Sequence, residues 1–232
     1  RGQEGAGVVS TDGEMLYRHM GQGLVSDVFS NSEVFDKLKG DSAIGHVRYS
    51  TTGNSDPENV GPLTFNMGGY SISIAHNGNL VNLDEIKKEL QENGALFQTS
   101  TDTEIIIHLL AREKGDTLAD KLEKVLQKIE GAYSLILLSP SEIIAARDPH
   151  GIRPFCMGKL QDTIVFASET CALDLLGAEY VREVNPGEMI VANDDGFYSR
   201  NFTEPQESKH CIFEYIYFSR PDSKIFGKNV DK

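Results

Sequence analysis

Two neighbouring residues, Asn77 and Gly78, follow an apolar stretch at a point where they could bind one oxygen atom together. A glycine lets the backbone approach a ligand closely and take a positive φ. A side-chain amide and a glycine N–H are the neutral donors that an oxyanion hole uses, and losing one such donor typically lowers turnover by about 10²–10³. Asn-Gly is foremost a turn signal, so the pair taken alone favours a plain turn.

Two charged residues could complete a site for a small zwitterion. Arg48 follows another apolar segment and carries a planar guanidinium that matches a carboxylate. Asp102 stands at the start of a predicted helix and could hold an ammonium group. Each has an ordinary alternative, because strand-end arginines form surface ion pairs and first-turn aspartates stabilise the helix dipole. His46 and His76 are interpreted as hydrogen-bonded strand-end residues rather than as bases or ligands.

The elements that must position these residues follow from periodicity. Short apolar segments at 5–9, 43–49 and 70–75 predict strands, and the Gly- and Pro-rich segment 51–62 predicts a loop. Helical spacing then recurs three times, at Leu83, Ile86 and Leu90, at Ile105, Ile106, Leu109 and Leu110, and at Leu118, Leu122, Val125 and Ile129. The first two helices are predicted to begin with capping pairs, Asn82 with Glu85 and Thr101 with Glu104.

The second half of the sequence predicts mainly strands. They are expected at 132–139, 142–147, 154–160 and 163–168, followed by a short helix at 169–178 and a hairpin at 187–202 that turns at Asp195–Gly196. Strands, then helices, then strands predict an α+β fold rather than alternating βαβ units. We expect one domain over 1–206 and, over 207–232, a linker and the first strand of another domain, with that strand predicted in the segment 211–223.

Composition excludes several classes of protein. The 232 residues carry 22 basic and 35 acidic side chains, a net charge of −13, which argues against a nucleic-acid-binding surface. No apolar run approaches the roughly 18 residues of a membrane-spanning helix. Three widely spaced cysteines without a CxxC motif argue against a disulfide framework or a zinc site. We expect a cytoplasmic protein with no membrane partner.

Several segments, taken together, resemble one family. "RGQEGAG" (1–7), "GHVRYSTTG" (45–53), "AHNGNL" (75–80) and "STDTE" (100–104) resemble the glutaminase domain of the N-terminal-nucleophile (class II) glutamine amidotransferases. "RDPHGIRPF" (147–155), "SETCALD" (168–174) and "EYIYFSRPDS" (214–223) are similar to segments of the amidophosphoribosyltransferases within that family. The related glucosamine-6-phosphate synthases share only the "HNG" and "TDTE" elements.

The resemblance implies a fold and a site. The fold is a four-layer α/β/β/α sandwich of two antiparallel sheets. In the site, Arg48 would bind the α-carboxylate of glutamine, helped by the loop at Thr51, and Asp102 would bind the α-amino group. Asn77, through its side chain, and Gly78, through its N–H, would form the oxyanion hole.

The family's nucleophile is an N-terminal cysteine whose own α-amino group serves as the base. Arg1 matches a family arginine near that nucleophile, and Tyr49 matches a positioning residue. The sequence begins inside a motif that follows the cysteine, and Cys156, Cys171 and Cys211 are interior and cannot replace it. We therefore expect the activity to belong to a longer enzyme and the 232-residue chain alone to be inactive. Cys156 and Cys171 are interpreted as inert buried thiols.

The resemblance also implies what the longer enzyme does. Ammonia released from glutamine would pass to a phosphoribosyltransferase domain and displace pyrophosphate from phosphoribosylpyrophosphate. The product would be 5-phosphoribosylamine, formed in the first step of purine synthesis de novo. Two other hypotheses stay open, namely a glutaminase domain of another amidotransferase, such as the glucosamine-6-phosphate synthase type, and a catalytically inactive amino-acid-binding module.

Cofactors and assembly are implied only for the full-length protein. Such enzymes use magnesium, and some carry a 4Fe–4S cluster for which Cys211 stands in the position of one ligand. Because such a cluster needs four ligands, we expect no metal within this chain itself. Glutamine, glutamate and phosphoribosylpyrophosphate are the expected small-molecule partners, and family members assemble as dimers or tetramers.

Overall fold

The computed structural model describes residues 4–49, 57–204 and 206–231. Its strands are β1 (Gly5–Thr11), β2 (Leu16–Gln22), β3 (Ser42–Arg48), β4 (Leu63–Met67), β5 (Tyr70–Leu80), β6 (Gly131–Leu138), β7 (Ile143–Arg147), β8 (Cys156–Leu160), β9 (Thr163–Ala167), β10 (Glu179–Glu183), β11 (Glu188–Asn193), β12 (Gly196–Asn201), β13 (Lys224–Ile225) and β14 (Lys228–Asn229). Its helices are α1 (Val25–Val28), α2 (Glu33–Lys37), α3 (Leu83–Glu92), α4 (Asp102–Arg112), α5 (Leu118–Leu126) and α6 (Thr170–Leu176), with a 3₁₀ turn at Pro57–Asn59 and a π-helical turn at Glu214–Phe218. Within these ranges no helix is both long and apolar enough to cross a membrane.

Two layers of antiparallel strands form the centre of the molecule. One layer is a six-stranded sheet in the order β12-β11-β7-β6-β5-β4. The other consists of two three-stranded sheets, β2-β1-β3 and β10-β8-β9. Neighbouring strands in all three sheets run antiparallel. The predicted α+β class is therefore confirmed.

The largest apolar core lies between the six-stranded sheet and the helices α4 and α5. Alternate residues of β5 and β6 point into this core, where they meet the apolar sides of both helices. Its buried members from these four elements include Ile72, Ile74, Leu135, Leu137, Ile106, Leu110, Leu122 and Val125. Burial of each such side chain contributes about 1.5–3 kcal/mol to folding. This core therefore holds α4 against the six-stranded sheet.

The opposite face of the six-stranded sheet packs on the second layer of strands. One contact cluster joins Val9 and Ile44 to Ala75 and Leu138, and a second joins Phe155 and Met157 to Ala145 and Ile190. On the outer side of β8, Leu173 of α6 packs against Cys156. The layers thus follow the order helix, sheet, sheet, helix, which confirms the four-layer α/β/β/α sandwich.

Strand β5 is longer than the sequence predicts. The predicted strand ends near Ala75, and a turn is the open alternative for Asn77–Gly78. In the structure β5 continues to pair with β6, with Asn77 opposite Ser134 and Gly78 opposite Tyr133. The turn interpretation is wrong because pairing with a distant strand overrides the local turn preference.

Both predicted capping pairs are also wrong. Asn82 precedes α3 but donates to the carbonyl oxygen of Lys128 and accepts from the N–H of Glu130. Glu104 in α4 accepts hydrogen bonds from main-chain N–H groups of residues 98–99. Each side chain ties its helix to a neighbouring segment instead of closing the helix end.

The segment 211–223 is not the strand that the sequence predicts. It contains the π-helical turn, whose first residue Glu214 is fully buried and accepts a 2.8 Å hydrogen bond from Arg153. A buried charged residue needs such a partner, and here the partner comes from the segment between β7 and β8. The predicted domain boundary after residue 206 stays a prediction.

Candidate active site

A cavity of about 620 Å³ is lined by the ends of β3 and β5 and by the starts of α4 and α6. Arg48, Asn77, Gly78 and Asp102 all line it. The structure therefore brings together four residues that lie far apart in the sequence. The other two predicted site residues, Arg1 and Thr51, lie outside the described residues.

Arg48 is the last residue of β3 and is only 8% exposed. Its Nη1 donates to the carbonyl oxygen of Asn59 at 3.0 Å. The Asn59 side chain in turn exchanges two hydrogen bonds with Ser100, donating to its hydroxyl at 3.0 Å and accepting from its N–H at 3.2 Å. Asn59 thus connects the guanidinium to the segment that leads into α4.

Asp102 is the first residue of α4, and both of its carboxylate oxygens are hydrogen-bonded to β5. Oδ1 lies 3.2 Å from His76 Nδ1, and Oδ2 accepts from the N–H of Leu80 at 3.2 Å. Burial alone raises the pKa of Asp102, but the charge and hydrogen bond of His76 and the N–H groups of Leu80 and Thr103 outweigh burial, so its pKa lies below its ordinary value. The carboxylate is therefore ionised at neutral pH.

Asn77 and Gly78 lie side by side within β5, at the cavity wall. The amide of Asn77 makes a long hydrogen bond of 3.5 Å to the hydroxyl of Ser168. Gly78 has φ +158°, and a Cβ added there would overlap the carbonyl oxygen of Ala132. Only glycine fits this position, so backbone atoms form the cavity wall there.

His76 is held by a hydrogen bond, as the sequence predicts, although it lies inside a strand rather than at its end. His46 lies on β3, and its Nδ1 has no hydrogen-bond partner among the described residues. Burial, followed by the charge of His76, lowers the pKa of His46 to about 4. His46 is therefore neutral at pH 7, and it adds no positive charge to the cavity.

The sequence did not predict that the segment 214–218 would form part of this cavity. Tyr217 and Phe218 line one wall, and the Tyr217 hydroxyl lies 3.2 Å from that of Tyr49. Arg153, which pairs with Glu214, also lines the cavity. The aromatic residues of the segment could have indicated a cavity wall, but the sequence analysis assigned the segment to another domain.

The three cysteines are free thiols. Cys156 and Cys171 are buried, and burial raises the pKa of Cys156 to about 12 and also raises the pKa of Cys171. A thiol with a raised pKa is a weak nucleophile, which supports their interpretation as inert. Cys211 is half-buried. Among the described residues no three His, Cys, Asp or Glu side chains are grouped to hold a metal ion.

A family model described as a glutamine amidotransferase domain matches residues 46–175. The chain is 51% identical over 231 residues to an amidophosphoribosyltransferase from Bacillus subtilis (strain 168). That match covers 99% of this chain and 48% of the relative, so the chain spans about half of the relative's length.

Two solved structures have the same fold. One is glutamine phosphoribosylpyrophosphate amidotransferase from B. subtilis complexed with ADP and GMP, with a TM-score of 0.93 and 50% identity over 99% of this chain and 50% of that chain. The other is described as the allosteric regulatory enzyme of purine biosynthesis, with a TM-score of 0.95 and 50% identity over 99% of this chain and 49% of that chain.

Proposed function

The chain belongs to the glutamine amidotransferase domain family, and from this premise we propose that its cavity binds glutamine. In the full-length protein the side-chain amide of glutamine is hydrolysed there to give glutamate and ammonia. The observation that carries this proposal is the convergence of Arg48, Asp102, Asn77 and Gly78 on one cavity.

The two charged groups suit the two ends of an amino acid backbone. A buried guanidinium offers parallel N–H donors to a carboxylate, and we assign the α-carboxylate of glutamine to Arg48 with the loop at Thr51. An ionised carboxylate with free lone pairs accepts from an ammonium group, and we assign the α-amino group to Asp102. Held at both ends, glutamine would extend its side-chain amide toward β5.

The neutral donors suit the reacting carbonyl. The thiolate of an N-terminal cysteine, which is not in this sequence, would attack the amide carbon while that cysteine's α-amino group takes up the thiol proton. Negative charge then develops on the carbonyl oxygen, where the Asn77 amide and the Gly78 N–H would stabilise it. Collapse would pass that proton from the α-ammonium group to the leaving nitrogen, so that ammonia departs and a thioester remains, which water would hydrolyse to glutamate and the free thiol. Arg1 is assigned to the surroundings of the nucleophile.

The acceptor of ammonia is proposed from the relatives. The relative from B. subtilis is an amidophosphoribosyltransferase, and one matching structure is described as an enzyme of purine biosynthesis. We infer that ammonia passes to a phosphoribosyltransferase domain, where it displaces pyrophosphate from phosphoribosylpyrophosphate to form 5-phosphoribosylamine. We also infer a cytoplasmic homo-oligomer, a dimer or a tetramer.

Magnesium and an iron–sulfur cluster are proposed only for the full-length protein. Magnesium would accompany the pyrophosphate substrate in the second domain. A 4Fe–4S cluster needs four thiolates, and Cys156 and Cys171 are buried in other parts of the fold. The described residues alone do not fit such a cluster. Cys211 stays a candidate ligand only where a longer protein supplies the other three.

Binding tests the amino-acid site directly. Titration calorimetry of the full-length protein should detect glutamate, and Arg48→Ala should abolish that binding because the α-carboxylate loses its guanidinium. Arg200→Ala is the matched control, since Arg200 pairs with Asp120 and Glu123 and does not line the cavity. Unchanged binding in Arg48→Ala would remove Arg48 from the site.

Turnover separates the open alternatives. With glutamine, the full-length protein should form phosphoribosylamine from phosphoribosylpyrophosphate and no glucosamine 6-phosphate from fructose 6-phosphate. The opposite product would favour the sugar-phosphate amidotransferases, and binding without any turnover would favour an inactive binding module. The purified 232-residue chain should release no ammonia from glutamine, and measurable release would contradict the assignment of the nucleophile.

A further inference from the structure

We propose that His76 is a positioning residue that orients the Asp102 carboxylate toward the α-ammonium group of the bound amino acid. This inference rests on the proposed function, because it assumes that Asp102 binds that group. It assigns to the histidine of β5 a role that neither the sequence motif nor the family resemblance supplied.

The first argument is the geometry of the carboxylate. His76 Nδ1 lies 3.2 Å from one oxygen of Asp102, and the N–H of Leu80 bonds the other oxygen at the same distance. Both donors belong to β5, so the carboxylate is held at two points on one rigid strand. Rotation of the Asp102 side chain would break both bonds. The Thr103 hydroxyl makes a further long contact of 3.5 Å with Oδ1, and the carboxylate lines the cavity in which the ammonium group would lie.

The second argument is what the imidazole does otherwise. The His76 side chain is 2% exposed, and within the described part of the chain its Nε2 has no hydrogen-bond partner. A buried polar atom without a partner costs stability, so an apolar side chain would serve better if packing were the only need. Among the described side chains, the polar contact of this ring is with Asp102. Burial of the unpartnered Nε2 is destabilising, and the hydrogen bond between Nδ1 and the Asp102 carboxylate explains why a histidine occupies this position.

The third argument is that the ring is itself held in place. A Cβ added to Gly78 would lie 2.8 Å from His76 Nε2, so the ring packs directly against the glycine that we assign to the oxyanion hole. The imidazole therefore contacts the proposed oxyanion glycine on one side and the proposed ammonium-binding carboxylate on the other.

The chain offers a matched control in a second histidine–carboxylate pair. His108 lies 3.7 Å from Glu104 on the same helix as Asp102. The Glu104 oxygens accept from the N–H groups of Gln98 and Thr99, and neither member of the pair lines the cavity. Replacing His108 removes a histidine near a carboxylate without touching the site.

The experiment compares two ligands that differ only in the α-amino group, L-glutamate and glutarate. Their dissociation constants are measured by calorimetry for the full-length protein, for His76→Leu and His76→Asn, whose new side chains have the same number and branching of heavy atoms, and for His108→Leu. His76→Leu should lower the preference for glutamate over glutarate about tenfold, the value expected for one charge-assisted hydrogen bond. His76→Asn should keep most of the preference, because its amide can donate near the position of Nδ1.

Each outcome decides the inference. A loss confined to glutamate in His76→Leu, with unchanged glutarate affinity and a normal His108→Leu, supports it. If His76→Leu and His76→Asn show the same preference for glutamate over glutarate, His76 does not act as a hydrogen-bond donor to Asp102 and the inference is overturned. Equal weakening of glutamate and glutarate binding overturns it as well. If His76→Leu fails to fold, a loss of preference in a folded His76→Asn overturns it as well. Failure of the proposed function looks different, since the wild-type protein would then show no preference and Asp102→Asn would change nothing.

Discussion

Two Asx-Gly pairs, Asp195–Gly196 and Asn77–Gly78, carry the same local turn signal and adopt different structures. Asp195–Gly196 forms the hairpin between β11 and β12, in which Asn193 pairs with Gly196. Gly196 has φ +123° and open space where a Cβ would be. Asn77–Gly78 lies inside β5 instead, where Gly78 is closely surrounded by backbone and by the His76 ring.

The difference teaches what a turn signal contains. The hairpin pairs two strands that are adjacent in sequence, so local preference and final structure agree. β5 pairs with β6, which begins about fifty residues later, and the helices α3, α4 and α5 separate the two strands in the sequence. The same two-residue signal therefore marks a turn on the surface and a close backbone approach in the cavity wall. Only the tertiary partner distinguishes them.

The largest expected effect contrasts the two glycines. Gly78→Ala should destabilise the protein by more than about 4 kcal/mol or prevent folding, because its Cβ would overlap the Ala132 carbonyl oxygen. Gly196→Ala should cost only about 1 kcal/mol, since it strains φ without a clash. Equilibrium urea denaturation measures both. Similar losses at the two positions would contradict the steric explanation.

The next effect contrasts the two polar residues that precede these glycines, Asn77 and Asp195. In the full-length protein Asn77→Ala should lower glutamine turnover by about 10²–10³, because one oxyanion donor is lost. Asp195→Ala should leave turnover unchanged, since Asp195 lies at the hairpin and outside the cavity. Steady-state kinetics measures both variants. A rise in KM alone, with kcat unchanged, for Asn77→Ala would indicate ground-state binding rather than oxyanion stabilisation.

His46, which lines the cavity, should make the stability of the protein depend on pH. The pKa of His46 falls from 6.5 in the unfolded chain to about 4 in the fold, so below pH 6.5 the unfolded state binds more protons. The free energy of unfolding should therefore fall by up to about 3 kcal/mol between pH 6.5 and 4 on this account. The measurement is urea denaturation across that range for the wild type and His46→Gln. Parallel pH dependences in the two proteins would exclude His46 as the source.

The smallest effect belongs to the hairpin. Asn193 Oδ1 accepts a 3.0 Å hydrogen bond from the N–H of Asp195, and both residues are exposed. Asn193→Ala should cost about 0.5–1 kcal/mol, as expected for one exposed turn hydrogen bond. Thermal denaturation should detect the loss of stability, and steady-state kinetics should show unchanged turnover. A larger loss would mean that the hairpin stabilises more than its own turn.

Periodicity sufficed to predict much of the fold. The helices α3, α4 and α5 and the β11–β12 hairpin were predicted because their apolar spacing or turn chemistry is local. The tail of β5 and the partners of Asn82 and Glu104 could not be predicted, because distant segments supply their hydrogen bonds. The predicted strand at 211–223 is wrong for the same reason, since a buried contact with Arg153 fixes a helical turn there.

The candidate site was predicted through motif resemblance, not through spacing alone. Taken singly, Arg48, Asp102, Asn77 and Gly78 each had an ordinary structural interpretation. The structure shows that these four line one cavity. The contribution of Tyr217 and Phe218 to its wall could not be predicted, because it depends on how a distant segment folds back.

The bridge that Asn59 makes between Arg48 and Ser100 has a stereochemical consequence. It sets the separation between the guanidinium and the carboxylate of Asp102, while β5 fixes a third contact in another direction. Three fixed points that do not share a line distinguish a molecule from its mirror image. If glutamine binds as proposed, the cavity is therefore expected to be enantioselective and to accept L-glutamine but not D-glutamine. It should also reject the β-amino homologue of L-glutamine, whose chain is one carbon longer.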